Sequence, residues 1–306
     1  MDPAKGWAIV AVMESAASFT AETMALQRAF ESHRPVTSRL FTDPYADAFL
    51  RPSLRLLASA SGVPLLRRLA VGLFDAVGGP GPRPSAIVRT KVIDDAVTDA
   101  AAWAQQCVLL GAGYDTRAHR LPALAQLHVF EVDHPATQAL KQAAIGRAGL
   151  ADGQITYIPI DFERDDLASK LEAEEFDRAA PTIFVWEGVT NYLSADAVDA
   201  TLAVIRGLAH GGGLLAVTYV DVRALTDPDA FPEARRWAKA VARAGEPWIF
   251  GLGPDEVEHF FGSRGFKLRY DTSTLEAGQV WLTGQRGREH GSALYRIAIA
   301  DIDTAR

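Results

Sequence analysis

Three acidic residues follow three successive apolar segments that we predict to be β-strands. Asp133 follows "LHVFEV", Asp161 follows "ITYIPI", and Glu187 follows "PTIFVW". In an open sheet of parallel strands, ligands bind beyond the carboxyl ends of the strands. One such acid would usually cap a helix, but three in register predict an acid-lined ligand crevice at one edge of the sheet.

A glycine turn is predicted at the same edge. The segment "CVLLG", which starts at Cys107, runs into Gly111, Ala112 and Gly113, and glycine lets the backbone approach a ligand closely. Asp133 comes 20 residues after Gly113, a spacing that suits an acid binding ribose hydroxyls. The third glycine of a dinucleotide fingerprint would stand at position 116, which is Thr116.

The charge of the crevice favours one class of cofactor. A pyrophosphate prefers backbone N–H groups and cations, so an acid-lined crevice suits it poorly. S-adenosylmethionine carries ribose hydroxyls, an adenine amino group, an ammonium and a sulfonium, and we predict it as the cofactor. A dinucleotide-dependent oxidoreductase and a non-catalytic cofactor-binding regulator are the alternatives from other classes.

The elements that must position these residues alternate between strand and helix from Cys107 onward. This alternation predicts a doubly wound, mostly parallel α/β sheet. We divide the single domain of residues 1–306 into an N-terminal helical region and cap (1–105), a cofactor-binding core (106–221), a cap insertion (222–262) and closing strands (263–306). The closing segments "FKLRYD" and "ALYRIAIADI" have no predicted helix between them, which indicates an antiparallel addition.

Composition argues against several functions. The chain has a net charge of −7, which disfavours nucleic acid as a partner. Its one cysteine, Cys107, reads as a core residue and cannot form an internal disulfide. No metal site is predicted. The apolar run "WAIVAV" from Trp7 is too short to span a membrane, so we expect a cytoplasmic protein with no membrane partner. An oligomeric state is not predicted.

Together these segments resemble the leucine carboxyl methyltransferase family, in its bacterial S-adenosylmethionine-dependent O-methyltransferase branch. The matching segments occur in family order over roughly residues 15–300: "LFTDPYADAFL", "VRTKVIDDAV", "VLLGAGYDTRAHRL", "VFEVDHPATQALK", "IPIDFERDDL", "PTIFVWEGVTNYLS" and "GEPWIFGLGPDEVEHFFGSRGF". The resemblance implies a class I methyltransferase sheet whose last strand is antiparallel, covered by a helical cap.

The resemblance also implies roles at the adenosine end of the cofactor. Gly111 and Gly113 would lie against the cofactor, and Asp133 would bind the ribose hydroxyls. Asp161 would bind the adenine amino group, and Phe162 would hold the adenine with its backbone and ring.

At the methionine end, the resemblance implies that Glu187 faces the ammonium and that Arg89 reaches the carboxylate. Tyr192 matches a tyrosine near the transferred methyl group, which makes Tyr192 and Arg89 the catalytic candidates. Arg28 matches a basic residue near the cofactor, with a solvated helix face as the alternative. A structural network beneath the glycine turn explains three further motif residues as well as ligand contact does: Asp115, Arg117 and Arg120.

The acceptor is predicted to be a small molecule. The sequence offers no dedicated general base, and a carboxylate nucleophile needs none because it is ionised at neutral pH. We therefore predict carboxyl methylation in natural-product biosynthesis, with hydroxyl or phenol methylation of a polyketide-like product as the alternative. Tyr219 could orient an oxygen acceptor, and Trp248 and Phe250 could line the cap over it. His134 is expected to border the cofactor.

Overall fold

The computed structural model describes residues 20–78, 82–150, 153–161, 164–227, 229–243, 245, 247–286 and 288–304. Its strands are β1 Gln106–Leu110, β2 His128–Asp133, β3 Ile155–Pro159, β4 Thr182–Trp186, β5 Gly213–Val220, β6 Phe266–Ser273 and β7 Tyr295–Ile302. They form one sheet in the order β3-β2-β1-β4-β5-β7-β6. Strands β1 to β5 pair in parallel, whereas β7 pairs antiparallel with β5 and β6. The predicted sheet class is confirmed.

Helices connect these strands. They are α1 (20–32), α2 Pro52–Ala60, α3 Pro64–Gly78, α4 Pro82–Ala100, α5 Arg117–Arg120, α6 Pro135–Ala148, α7 Leu167–Ala173, α8 Ala195–Leu208, α9 Arg223–Thr226, α10 Ala234–Arg243, α11 Val257–Gly262 and α12 Thr274–Trp281. Short 3₁₀ helices cover Ala46–Phe49, Pro122–Leu124, Thr190–Tyr192 and Gly284–Arg286. None of the described helices has the length and apolar character of a membrane span. The run that starts at Trp7 lies outside the described residues, and the cytoplasmic location stays a prediction.

Both faces of the sheet are covered by helices. Successive side chains of a strand point to opposite faces, so Val108 lies in a cluster with Leu202 of α8. Its neighbour Cys107 lies on the other face, in a cluster with Ile93 of α4. Cys107 is fully buried, as predicted. Burial on both faces explains why these strands read as continuous apolar runs.

The expectation that no helix separates the last two strands is wrong. Helix α12 lies between β6 and β7. It begins with a capping box, in which Ser273 Oγ accepts from the Glu276 N–H at 3.1 Å and Glu276 Oε2 accepts from the Ser273 N–H at 2.7 Å. This box satisfies the N–H groups of Ser273 and Glu276, which favours the start of a helix of eight residues there.

Two carboxylates tie α1 to the C-terminal part of the chain. Glu31 of α1 accepts from Arg286 Nη1 at 2.6 Å. Glu289 accepts from Arg83 Nη1 at 3.0 Å and pairs with Arg34. Burial opposes ionisation of Glu289, but Arg83, Arg34 and Arg286 outweigh it and lower the pKa of this carboxyl to about 2.

We expect Glu289→Gln to lower the free energy of unfolding at pH 7 by about 2–3 kcal/mol, because one pKa unit corresponds to about 1.4 kcal/mol. A carboxyl whose folded pKa lies below its usual 4.5 stabilises the fold above that value and loses the effect as the pH falls. The difference between variant and wild type should therefore shrink from about pH 5 downward. Urea unfolding at pH 7, 5 and 4 measures it. A difference that stays constant with pH would contradict the ion-pair explanation.

Candidate active site

The glycine turn packs tightly between the ends of β2 and β4. The Gly111 N–H donates to the carbonyl of Val132 at 2.8 Å. Gly111 and Gly113 have φ values of +66° and +46°, a region that residues with a Cβ rarely adopt. A Cβ on Gly111 would stand 2.5 Å from Val189 Cγ2, in the segment after β4. Both backbone conformation and space therefore require glycine at position 111.

Asp133 ends β2 and holds this turn. Its Oδ2 accepts from the Gly113 N–H, and its Oδ1 accepts from the His134 N–H at 2.6 Å. Burial raises the pKa of Asp133, and these two N–H groups offset the rise only in part. Each carboxylate oxygen has a second lone pair, so the residue can accept further hydrogen bonds. His134 is exposed, and its Nδ1 accepts from the Ala136 N–H at 3.3 Å as the N-cap of α6.

Asp161 follows β3, next to the end of β2. The Ile160 N–H donates to the carbonyl of Asp133 at 2.9 Å, which draws the two strand ends together. The Asp161 N–H donates to Asp165 Oδ2 at 2.9 Å. The Oδ2 atom of Asp161 lies 3.5 Å from Arg164 Nε. Phe162, predicted beside it, lies outside the described residues.

Glu187 follows β4 and is held by two guanidinium groups. Arg89 Nε donates to its Oε1 and Arg117 Nη1 to its Oε2, each at 2.6 Å. Burial alone would raise the pKa of Glu187, but Arg117 and Arg89 outweigh it and lower the pKa. The carboxylate is therefore a stable anion and a weak base. The Arg89 guanidinium also lies 5.0 Å from the ring centroid of Tyr295.

Beneath the turn lies a buried ion network. Arg117 donates to Asp94 Oδ1 at 2.8 Å and to Asp115 Oδ2 at 2.5 Å, in addition to Glu187. Arg120 donates to both oxygens of Asp94, at 2.6 and 2.8 Å. These contacts support the structural interpretation of the motif residues, since Arg117 joins α4, the turn and the end of β4.

Arg28 of α1 is buried, so the interpretation as a solvated helix face is wrong. Its Nε donates to Asp43 Oδ2 at 2.8 Å, and its Nη2 donates to the carbonyl of Tyr114 at 2.5 Å. Arg28 thus contacts the residue that follows Gly113, and its role in cofactor binding stays a prediction.

The predicted acceptor residues occupy different surroundings. Tyr192 is half-buried in the 3₁₀ helix after Glu187. The buried Tyr219 donates its hydroxyl to Asp271 Oδ1 at 2.7 Å. Phe250 is buried, with its ring centroid 6.2 Å from that of Phe260. Trp248 packs against an aromatic cluster that contains Trp237 and Tyr295. The Arg89 guanidinium contacts Tyr295, which belongs to the cluster that Trp248 packs against, and Tyr192 follows Glu187 by five residues.

Three side chains in this region carry unpartnered polar atoms, and the sequence analysis named only Trp248 among them. Asn191 is fully buried, and both polar atoms of its amide lack a hydrogen-bond partner among the described residues. The indole nitrogens of Trp237 and Trp248 also lack one. The main-chain carbonyl of Asn191 accepts from the Ile249 N–H at 2.8 Å, which links Asn191 to the segment that contains Trp248. An unpaired buried group costs about 1–3 kcal/mol. The one sequence signal was that Asn191 is the only asparagine of the chain.

A comparison with protein-family models matches residues 21–206 to leucine carboxyl methyltransferase. The chain belongs to this family. A Mycolicibacterium gilvum protein, assigned as an S-adenosyl-L-methionine-dependent methyltransferase, is 35% identical over 238 residues, which cover 75% of this chain and 73% of that protein. A Mycobacterium (strain KMS) protein of the same assignment is 32% identical over 287 residues, covering 86% and 88%.

A solved structure from Thermobifida fusca, of a protein assigned as a methyltransferase, shares the fold. It aligns with a TM-score of 0.56 at 19% identity, covering 90% of this chain and 97% of that one. The family match and the relatives show that this chain is an S-adenosylmethionine-dependent methyltransferase. This result decides against the oxidoreductase and the non-catalytic regulator.

The residues at the sheet edge of this methyltransferase fit the cofactor. S-adenosylmethionine supplies an electrophilic methyl group on a sulfonium sulfur. Glu187, whose lowered pKa keeps it anionic, suits an ammonium, and Arg89 beside it suits a carboxylate. Asp133 would bind the ribose hydroxyls with its remaining lone pairs. Glu187 and Arg89 thus offer charges opposite to the ammonium and the carboxylate of the methionine part.

We expect Asp133→Ala to weaken binding of S-adenosylmethionine at least about tenfold. Hydrogen bonds to a charged group contribute about 1.5–3 kcal/mol, and 1.4 kcal/mol is one decade of affinity. Calorimetric titration measures the change. Asp177→Ala is the matched control, because Asp177 also accepts from a backbone N–H, that of Ala179 at 2.8 Å. Asp177 precedes β4 and so lies at the end of the strands opposite to the cofactor site. Equal affinity of Asp133→Ala and wild type would rule out the ribose role.

Proposed function

We propose that this methyltransferase forms a methyl ester on a small-molecule carboxylate, as a tailoring step of natural-product biosynthesis. The observation that carries the proposal is that Glu187 is ionised and hydrogen-bonded through both of its oxygens. Both of its oxygens are held by guanidinium groups and its pKa is lowered, which makes it a poor proton acceptor. A carboxylate, with a pKa near 4, is already ionised and needs no base.

In this proposal the cofactor is held from both ends. The turn at Gly111 and Gly113 lets the backbone approach it, Asp133 binds the ribose, and Asp161 binds the adenine amino group. Arg89 and Glu187 bind the carboxylate and the ammonium of the methionine part. The fixed Arg89–Glu187 pair sets the depth at which the methionine part lies, and thereby the position of the methyl group.

The acceptor would bind among Tyr192 and the three unpartnered groups of Asn191, Trp237 and Trp248. Indole and amide N–H groups donate hydrogen bonds, and a carboxylate accepts them. Orientation is the main catalytic task, because holding reactants at near-attack distance removes much of the entropic barrier. The acceptor oxygen would form a bond to the methyl carbon as the carbon–sulfur bond breaks, which would leave S-adenosylhomocysteine.

The product tests this proposal. We expect a library of organic acids to yield a product that releases methanol in mild alkali, as an ester does and an ether does not. The rate should stay nearly flat between about pH 6 and 8, whereas an unassisted phenol with a pKa near 10 would give a rate that climbs. An alkali-stable product would refute carboxyl methylation and favour the hydroxyl alternative.

Tyr192→Phe separates acceptor orientation from cofactor binding. We expect it to lower kcat more than it changes the affinity for S-adenosylmethionine, because the hydroxyl would act on the acceptor only. Steady-state kinetics and calorimetry on the same preparation measure both quantities. Tyr219→Phe is the comparison, since its hydroxyl is bonded to Asp271. A Tyr192→Phe enzyme with unchanged kcat would remove this residue from the mechanism.

A further inference from the structure

The hairpin of α2 and α3 exposes an apolar surface that the methyltransferase site does not use. Thirteen large apolar side chains are well exposed among the described residues, and six of them lie between residues 56 and 73. Leu65 is 82% exposed, Leu56 73% and Leu69 72%. We call these six the leucine face: Leu56, Val63, Leu65, Leu66, Leu69 and Leu73.

Helix α3 is apolar on both sides. Its inner side packs on the body of the protein, where Phe74 meets Phe30 of α1 with ring centroids 5.6 Å apart. Its outer side carries Leu65, Leu69 and Leu73, four residues apart, which lie on one stripe of a helix. Helix α3 also carries Arg67 and Arg68, and a contiguous exposed apolar patch beside charged residues marks an interaction surface. The exposed outer stripe of α3 is therefore a candidate surface for binding a partner.

The charge of the hairpin indicates which occupant fits. Residues 48–74 contain four arginines, Arg51, Arg55, Arg67 and Arg68, and no acidic residue, in a chain with a net charge of −7. A symmetric contact with a second copy would place the same patch on both sides. Arg51 is paired with Glu22 of α1, but Arg55, Arg67 and Arg68 would be brought together without a counter-charge from the patch, which disfavours a dimer through this surface.

We propose that the leucine face docks on the surface of a lipid bilayer that contains anionic lipids. Helices with apolar residues on one side and arginines beside them lie in the interface, with the apolar side chains below the headgroups. Arg68 would meet the lipid phosphates, whereas Arg51 is paired with Glu22. Arg55 and Arg67 donate to backbone carbonyls and add positive charge beside the leucine face. The expectation of no membrane partner rested on a search for spanning segments, whereas this hairpin would lie on the membrane.

Vesicle co-sedimentation of the full-length protein tests the proposal. Vesicles of phosphatidylcholine with phosphatidylglycerol should bind the wild type more tightly than phosphatidylcholine alone, and the difference should shrink with salt. The double variant Leu65→Ser/Leu69→Ser should bind the mixed vesicles at least about tenfold more weakly. Leu140→Ser/Val280→Ser is the matched control, since both side chains are exposed elsewhere. Arg68→Gln should reduce the preference for anionic vesicles.

Three results would overturn the proposal. The first is a Leu65→Ser/Leu69→Ser variant that binds vesicles as the wild type does. The second is a wild type that ignores vesicles but forms a dimer by light scattering, which this variant abolishes. The third is a monomeric wild type that ignores vesicles, which would mean that the chain covers the leucine face itself. Cofactor affinity, measured on each variant, should remain at the wild-type value and shows that the fold is intact.

Discussion

Arg117→Met is expected to lower the free energy of unfolding by about 3–5 kcal/mol, the usual effect of removing one partner from a buried ion network. Arg117 is 2% exposed and donates to Asp94, Asp115 and Glu187. Methionine has a similar length but no charge, so the variant would leave these acids buried with fewer counter-charges. Denaturant unfolding with circular dichroism measures the loss.

A matched control separates burial from pairing as such. Arg235 makes two hydrogen bonds to Asp229, each at 2.7 Å, on the exposed surface. Exposed pairs contribute little because water and salt screen them, so Arg235→Met should leave stability unchanged within error. If both variants lost the same stability, the network under the glycine turn would not be a special support of the fold.

The Arg117→Met variant also tests the charge of Glu187. Arg117 is the largest favourable influence on the ionised form of Glu187, so its removal should raise the pKa of Glu187. A carboxyl that is protonated more readily binds an ammonium less well as the pH falls. Cofactor affinity of Arg117→Met should therefore weaken toward acid at a higher pH than in the wild type. A purely structural role of Arg117 would shift no such profile.

The sheet and the position of its acids could be predicted from sequence because both follow from local patterns. Apolar runs separated by helices predict parallel strands, and parallel strands place Asp133, Asp161 and Glu187 at one edge. The partners of these acids could not be predicted in this way. Arg89 and Glu187 are 98 positions apart, and nothing in the local pattern of α4 indicates which carboxylate Arg89 meets.

Two further features were beyond the sequence patterns for physical reasons. The short helix α12 depends on a capping box rather than on a long amphipathic repeat. The leucine face was invisible because apolar periodicity predicts burial, and only the packed structure shows that Leu65 and Leu69 point away from the body. Patterns thus identify which residues avoid water, and tertiary structure shows which of them stay exposed among the described residues.

Glu187→Gln is expected to weaken S-adenosylhomocysteine binding by about a hundredfold while leaving 5′-methylthioadenosine binding unchanged. The first ligand carries the ammonium and carboxylate of the amino-acid part, and the second lacks both. Glutamine keeps the shape of Glu187 but not its charge, so an ammonium beside it would lose its counter-charge. Such a loss is worth about 3 kcal/mol or more in a buried site, which is about two decades of affinity.

The pair of ligands distinguishes a local role from a general one. Asp133→Ala should weaken both ligands alike, because both carry the ribose. Glu187→Gln should discriminate between them, because Glu187 would act on the amino-acid part alone. Its Oε1 lies 2.6 Å from Nε of Arg89, which would act on the same part. Equal weakening of both ligands by Glu187→Gln would show that the carboxylate supports the fold of the crevice rather than the ammonium. Calorimetry of the two ligands against the two variants therefore assigns each acid to one end of the cofactor.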